Sequence, residues 1–233
     1  MSARNSILGK LRAAPAAAAV EPDIAAFYAA RLQRPLTAMI AEWAMMMRAV
    51  RTEVVFCREP DWDAALVRVV SDKQIGRLLL APATAHGKRA MDTLAAQPKP
   101  PRMHGYDRAI DEWKAELFNE VDAGFTSVRA GICSTGSLIA WPTPDEPRTM
   151  SLVPPVHIAL FDASRMYDTL YQAMQVEGWK NGLPTNSLLI SGPSKTSDIQ
   201  QTVAYGAHGP RELIVLCVLP TDVSVNDVEG TAQ

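Results

Sequence analysis

Residues 186–210 read NSLLISGPSKTSDIQQTVAYGAHGP, passing from an apolar run through a glycine turn into a predicted helix. The short run 187–190 is typical of a β-strand, and the Gly-Pro pair at 192–193 ends it. The hydroxyl side chains between 194 and 197 are of the kind that caps the first turn of a helix. The pattern therefore predicts a strand, a turn and a helix in that order.

The predicted turn is a candidate anion site. The first N–H groups of a helix have no partners within it, and the helix dipole places positive charge there. Lys195 adds a cation, and a second glycine loop, GAHGP at 206–210, precedes the apolar run 213–219. A helix N-terminus contributes about 0.3–1 kcal/mol to holding a charge, whereas millimolar binding requires about 4 kcal/mol, so further donors must converge. The alternative is that these residues only cap a helix.

Length and charge limit the class of protein. With 233 residues, of which 48% are hydrophobic, the chain can form one large domain with a sizeable core. A net charge of −2 gives no electrostatic case for nucleic acid or an anionic membrane as a partner. The best apolar candidate, 36–50, contains Glu42 and Arg48, so no membrane span is predicted.

The three cysteines, Cys57, Cys133 and Cys217, are widely spaced. An odd number at such spacing favours neither a disulfide framework nor a metal site, and it fits a reducing cytoplasm. We expect no iron–sulfur cluster held by this chain alone, because such clusters generally take four cysteines. Cys57 and Cys217 lie in apolar, strand-like runs and are predicted to be core residues.

The two ends of the chain differ from its middle. Residues 1–20 are predicted to form a short amphipathic helix at 2–13 and an Ala/Pro linker, with a frayed tail as the alternative. Residues 21–220 are predicted to form a single α/β domain. Residues 221–233 are polar, acidic and poor in large apolar side chains, so they are predicted to be disordered.

Strand-like and helical segments alternate along the middle of the chain. Apolar runs at 54–57 and 77–80 have the length of strands, and helical patterns at 62–70 and 85–96 follow them. This rhythm predicts parallel βαβ units and a three-layer α/β/α fold with a largely parallel sheet, preceded by N-terminal helices. Ligands in such sheets lie beyond the carboxyl ends of the strands, so loops at those ends are expected to share a pocket.

Three loops are predicted to supply ligand-binding residues: 134–137, which follows a strand-like run at 124–132, then 191–198 and 206–210. The first loop is small and polar, so its N–H groups could face a ligand, although a tight turn explains the composition equally well. An arginine at 148 could hold a carboxylate or phosphate through two hydrogen bonds, although a loop arginine is usually only solvated. No catalytic residue and no metal ligand is assigned. The candidate anion-binding residues are Thr135, Gly136, Ser137, Arg148, Ser191, Gly192, Pro193, Ser194, Lys195, Thr196, Asp198, His208 and Gly209.

The remaining histidines receive no functional role. His86 and His104 have no acid or cysteine at ligand spacing and are expected at surface or loop positions. His157 stands at the start of a predicted strand, where a packed and hydrogen-bonded histidine is commoner than a ligand.

The chain carries TGSL at 135–138, ISGPSKTSDI at 190–199 and GAHGP at 206–210. This combination resembles the lactate-utilisation protein C family, which carries the LUD domain. The fold of that family is similar to the phosphosugar-isomerase and CoA-transferase class of α/β proteins (NagB/RpiA/CoA transferase-like). The resemblance covers 130–219 well. The family usually has a glutamate just before the Thr-Gly pair, whereas this chain has Ser134, so the carboxylate for a conventional acid–base role is missing at that position.

The resemblance implies a cytoplasmic component of the machinery that oxidises L-lactate to pyruvate. Partner proteins would carry the iron–sulfur clusters, and this chain would serve in binding or assembly with a small anion. The alternative, supported by fold analogy alone, is a stand-alone enzyme acting on a small phosphorylated or CoA-linked metabolite. A third hypothesis is a scaffold whose glycine loops bind nothing. Whether the chain is itself an enzyme stays open.

Overall fold

The computed structural model of the protein describes residues 3–14, 20–29, 34–197 and 203–229. The chain divides into two units, Met1–Leu32 and Gln33–Gln233. The smaller unit contains α1 (Ala3–Ala13), where the sequence predicts a helix, and α2 (Ile24–Ala29). Neither of these helices contains a buried residue among those described. The domain boundaries at residues 20 and 220 stay predictions.

A six-stranded sheet runs through the larger unit. Its strands are β1 (Glu53–Cys57), β2 (Arg77–Leu79), β3 (Arg102–His104), β4 (Ala123–Ser127), β7 (Val156–Asp162) and β12 (Glu212–Val218). They lie in the order β1, β12, β7, β4, β2, β3, and every neighbouring pair is parallel. Strands β7 and β12 are buried along nearly their whole length, because helices or a second sheet cover both of their faces.

Helices lie on both faces of this sheet. In the described part of the larger unit they are α3 (Leu36–Ala49), α4 (Trp62–Asp72), α5 (Ala85–Ala95), α6 (Ile110–Asn119), α7 (Thr149–Leu152), α8 (Leu170–Val176) and α9 (Val225–Glu229). Helices α4 and α5 share one core with the sheet, and α3, α6, α7 and α9 pack on the opposite face. Trp43 of α3 meets Phe161 of β7 with ring centroids 5.1 Å apart. The fold is therefore the predicted three-layer α/β/α arrangement.

A smaller sheet lies on the α3 face of the main sheet. It consists of β5 (Ala130–Ile132), β6 (Ser137–Ala140), β8 (Met166–Tyr167) and β9 (Leu188–Ile190), in the order β8, β5, β6, β9. The strand-like run 124–132 is therefore two strands, β4 and β5, in different sheets. The predicted strand at 187–190 is β9, which pairs antiparallel with β6 and is partly exposed, unlike a central strand of a parallel sheet.

The helix predicted after the Gly-Pro pair is wrong. Strands β10 (Lys195–Ser197) and β11 (Val203–Tyr205) form an antiparallel hairpin there. Threonine, valine and tyrosine favour extended backbone, and this preference outweighs the local resemblance to a helix cap. The helix-dipole argument for an anion at this turn therefore no longer applies. Asp198 lies outside the described residues.

The C-terminal segment also differs from its prediction. Residues 225–229, predicted to be disordered, form α9, and Val223 and Val228 are buried. Two apolar anchors are enough to hold a short segment whose average composition is polar. Within the described parts of the chain, no helix combines the length and the apolar character needed to cross a bilayer.

Candidate functional site

Two of the three predicted loops meet in one cleft of about 180 Å³. It lies at the amino ends of β7 and β12, since His157 and Leu213, each the second residue of its strand, line it. The expectation of a pocket at the carboxyl ends is therefore wrong for these loops, because β9 belongs to the smaller sheet and 206–210 leads into β12. The predicted residues that line the cleft are Ser191, Gly192, Pro193, Ser194, His208 and Gly209.

Ser194 joins the two loops into one wall. Its N–H donates to the carbonyl oxygen of Pro210 at 2.8 Å, and its own carbonyl accepts from Gly206 N–H at 3.0 Å. Its hydroxyl accepts from the N–H of His208 at 3.3 Å. A Cβ added at Gly209 would lie 3.3 Å from Ser194 Cβ, so glycine permits this close approach. The wall is therefore held by hydrogen bonds within the protein that are independent of any ligand.

The end of α3 supports the same wall. Gly192 has φ +123°, and a Cβ there would lie 2.7 Å from Cγ2 of Val50. Arg51, the residue after Val50, has φ +70°. Its guanidinium lies 4.8 Å from the ring centroid of Tyr205 on the hairpin. A non-glycine residue with positive φ is held in place only when its surroundings stabilise it. These contacts fix both the first glycine loop and the hairpin against α3.

The loop 134–137 supports the cleft from behind. Ser137 is buried, and its hydroxyl lies 2.6 Å from Ser191 Oγ and 2.8 Å from Thr135 Oγ1. Gly136 has φ +55° and packs on α3, where an added Cβ would lie 2.6 Å from Cβ of Met46. The three residues therefore position Ser191, and Ser191 is the one that lines the cleft.

The other predicted site residues lie apart from the cleft lining. Lys195, which is exposed, and Thr196 are on β10. Arg148 lines a small hollow together with Glu146, and Ser151 of α7 lines both that hollow and the cleft. The structure therefore gathers six of the thirteen predicted residues in the lining and places the other described ones around it.

A polar cluster at the carboxyl end of β4 has no counterpart among the predictions. The buried carboxylate of Glu146, which is 8% exposed, accepts from the Ser127 N–H at 2.9 Å and from the Ser127 hydroxyl at 2.6 Å. His86 Nε2 lies 2.8 Å from the same carboxylate. Burial raises the pKa of Glu146, but the hydrogen bonds from His86 and Ser127 lower it more, so the pKa lies below its usual range. The partners are 60 and 19 residues away, so no local pattern reveals them.

The three histidines to which no functional role was assigned differ in their surroundings. His86 lies in α5, partly exposed and with a carboxylate partner. His104 is buried on β3, where burial lowers its pKa, so the surface or loop prediction is wrong for it. His157 is 1% exposed, and its Nε2 lies 2.9 Å from Thr126 Oγ1, which confirms the packed and hydrogen-bonded role. Burial lowers the pKa of His157 to about 4, so the imidazole is neutral at neutral pH.

Ser134 stands beside two carboxylates that are already paired. Its N–H donates to the Asp168 carbonyl oxygen at 2.9 Å. Arg34 donates to the Asp168 carboxylate at 3.0 Å and to Cys133 Sγ at 3.5 Å, and it also pairs with Glu42. This arrangement binds the guanidinium firmly and leaves neither carboxylate as a free base at this position.

All three cysteines are buried and reduced, which confirms Cys57 and Cys217 as core residues. Burial raises the pKa of Cys133 to about 11 and that of Cys57 to about 12, so both thiols are protonated at neutral pH. Among the residues that the structure describes, no three His, Cys, Asp or Glu side chains converge as metal ligands would.

Known proteins match most of this sequence. The LUD domain model matches residues 40–218. An uncharacterized protein of Neisseria meningitidis serogroup B is 44% identical over 100% of both chains. The lactate utilization protein C of Deinococcus radiodurans is 31% identical over 68% of this chain and 74% of its own, and that of Exiguobacterium sp. is 26% identical over 74% of both.

A solved structure shows the same fold. The crystal structure of a duf162 family protein from Deinococcus radiodurans superimposes with a TM-score of 0.52 and covers 80% of this chain and 99% of the other. The two sequences are 19% identical, so the likeness concerns the fold alone.

Proposed function

Because the chain belongs to the LUD-domain family, we propose that it is a component of lactate utilisation that binds a small carboxylate anion. The names of the lactate utilization protein C relatives support the process. The observation that carries the binding role is the convergence of 191–194 and 206–210 on one cleft beneath which a buried histidine lies.

Cationic side chains follow the lining residues in the chain, which favours an anionic ligand. Lys195 follows Ser194, Arg211 follows Pro210, and Arg51 follows Val50, whose side chain touches Gly192. Charges of one sign around a cleft raise the local concentration of an oppositely charged ligand. Of the three cations, Arg211 is partly neutralised by Glu212 at 3.9 Å.

The size of the cleft favours a ligand with few heavy atoms. Its volume of about 180 Å³ is below the roughly 300–1,000 Å³ of pockets that hold drug-sized ligands. A molecule of the size of lactate or pyruvate fits such a volume, whereas the nucleotide part of a CoA ester would have to lie outside it. The size therefore supports lactate utilisation over the alternative of a CoA-linked metabolite.

Electron transfer belongs, in this proposal, to partner proteins that carry iron–sulfur clusters. The thiols of this chain are buried, and those of Cys57 and Cys133 are protonated at neutral pH, which supports that division of roles. The chain would then bind the anion or assemble with those partners. Its cytoplasmic location stays a prediction from the sequence.

A growth experiment tests the biological role. In a strain that lacks other lactate oxidases, deletion of the gene is expected to impair growth on L-lactate and to leave growth on pyruvate intact. The reason is that the proposed step lies upstream of pyruvate. Equal growth of the deletion strain and its parent on L-lactate would contradict the proposal.

Titration calorimetry with L-lactate, pyruvate and phosphate tests the binding role. Leu189 lines the cleft and is half exposed, so Leu189→Glu places a negative charge at its mouth and is expected to weaken carboxylate binding at least tenfold, about 1.4 kcal/mol. Leu183→Glu is the matched control, because Leu183 is also exposed but lines a different pocket. Equal affinities in both variants would place the anion elsewhere.

A further inference from the structure

His157 is a buried polar residue that lines the cleft. The side chain is 1% exposed and lines the cleft together with Ser194 and Gly209. Its Nε2 is occupied by Thr126, whereas Nδ1 has no hydrogen-bond partner among the described residues. Unlike the partnerless atoms sealed in the core, Nδ1 is not cut off from solvent, and a ligand that covered it without pairing it would leave it unsatisfied at a cost of about 1–3 kcal/mol. Nδ1 is therefore the atom that a bound molecule would satisfy.

The histidine on β3 provides a contrast within the same sheet. His104 has Nδ1 3.3 Å from Glu116 Oε1, and its Nε2 is sealed from solvent without a partner. No molecule can reach that nitrogen in the packed core. His157 borders a cleft, so its unpaired nitrogen has an accessible side.

The Thr126–His157 pair can present either hydrogen-bonding character. A neutral imidazole has one N–H donor and one acceptor nitrogen, and a hydroxyl can donate or accept. When Thr126 accepts from Nε2–H, Nδ1 is an acceptor for a ligand hydroxyl. When Thr126 donates to Nε2, Nδ1–H is a donor for a ligand carbonyl oxygen. The lowered pKa of His157 keeps the ring neutral, so the ring does not compete with the glycine loops for the ligand's carboxylate.

We infer that Nδ1 of His157, oriented by Thr126, recognises the oxygen on carbon 2 of a short 2-hydroxy or 2-oxo acid. This inference rests on the proposed function, because it takes the carboxylate to lie between the two glycine loops. His157 then determines specificity, and Thr126 is a positioning residue. Acids without an oxygen at carbon 2 leave Nδ1 unpaired and bind more weakly.

Propionate is the matched probe, because it has the carbon count and charge of L-lactate and pyruvate but no oxygen at carbon 2. Calorimetry on the full chain is expected to show propionate binding at least tenfold more weakly than L-lactate or pyruvate. In His157→Gln, whose amide can keep the bond to Thr126 while the Nδ1 position is lost, the difference is expected to fall to about twofold. His104→Gln is expected to keep the full discrimination.

Nitrogen NMR of histidine-labelled protein gives a readout that a purely structural role would not move. The chain has four histidines, and His157→Gln assigns the signals of His157 by their loss. L-lactate or pyruvate is expected to shift the Nδ1 signal of His157, and propionate is expected to leave it in place. If His157→Gln does not fold, Thr126→Val tests the proposal instead. This variant keeps the imidazole ring but removes the hydroxyl that orients it, so it is expected to reduce the discrimination against propionate.

The outcomes separate the two proposals. Equal binding of propionate, L-lactate and pyruvate to the wild-type chain would overturn the role of His157 and leave the carboxylate cleft standing. Failure to bind any of the three acids would overturn both. Discrimination that survives in His157→Gln and in Thr126→Val would assign the recognition of carbon 2 to another residue.

Discussion

Two polar groups along the neighbouring strands β4 and β7 are built in opposite ways. At the carboxyl end of β4, Glu146 is bonded to Ser127 and His86, so both of its oxygens are used within the protein. At the amino end of β7, His157 uses one ring nitrogen for Thr126 and leaves the other beside a cleft. The difference teaches that burial and polarity alone do not define a binding site. A fully bonded cluster stabilises the fold, and an incompletely bonded one at a cleft can receive a ligand.

Removing the centre of the closed cluster is expected to have the largest effect. Glu146→Ala leaves the Ser127 N–H and His86 without their buried partner, so the free energy of unfolding at pH 7 is expected to fall by about 3 kcal/mol. Urea unfolding measures it. Glu59→Ala is the control, since that side chain is 74% exposed and its pair with Arg89 contributes about 0.5 kcal/mol or less. Similar losses in both variants would show that the closed cluster is worth no more than an exposed ion pair.

Lowering the pH is expected to have the next effect, a loss of folding stability through His157. The folded protein keeps His157 neutral down to about pH 4, whereas the unfolded chain takes up a proton below about pH 6.5, so falling pH favours unfolding. The stability that His157 contributes is therefore lost by about 1.4 kcal/mol per pH unit across that window. Urea midpoints of wild type and His157→Gln, measured from pH 7 to 4, should converge as pH falls. Parallel curves would show that His157 does not titrate there.

Protonation of Glu146 also lowers the folding stability as pH falls, but over a different pH range. Its pKa is lowered in the folded state, so its contribution is present above the usual carboxyl pKa and is lost as pH falls through the folded value. Because Glu146 also acts on His157 electrostatically, the difference between wild type and His157→Gln reports the histidine together with that interaction.

The glycine wall of the cleft is expected to be the next most sensitive element. Gly192→Ala must adopt φ +123° and place a Cβ 2.7 Å from Val50, so the free energy of unfolding is expected to fall by about 1–3 kcal/mol and ligand affinity to fall with it. Thermal and urea unfolding test the stability. Gly182→Ala has nothing within 4 Å of the new Cβ and should be close to neutral. A neutral Gly192→Ala would mean that the wall is not held against α3.

Lys195→Ala is expected to have the smallest effect. The side chain is exposed on β10, so stability should change by about 0.5 kcal/mol or less. Carboxylate affinity is expected to fall by about twofold at low salt and to match wild type at high salt, because exposed charges are screened. Calorimetry at two ionic strengths checks this, with Lys180→Ala as the control at a different pocket. A large loss that persists at high salt would place Lys195 in direct contact with the anion.

Local patterns predicted several strands of the main sheet because these strands are short, largely apolar runs. The runs at 54–57 and 77–80 form β1 and β2, and 156–161 forms β7. The same logic failed at 195–197, where hydroxyl residues suit both a helix cap and an extended strand. Pairing with β11 decided between them, and that pairing depends on residues beyond the local window.

By itself, the sequence determined the layered α/β class, the core cysteines and the two glycine loops, since these depend on periodicity, composition and backbone freedom within short stretches. Only the tertiary structure decided that those loops lie at the amino ends of β7 and β12, and that His157 meets them there. The tertiary structure also decided that the Glu146 carboxylate is paired with His86. The reason is physical: hydrogen bonds and burial between residues tens of positions apart arise from packing, and no short sequence pattern encodes which atom is left unpaired.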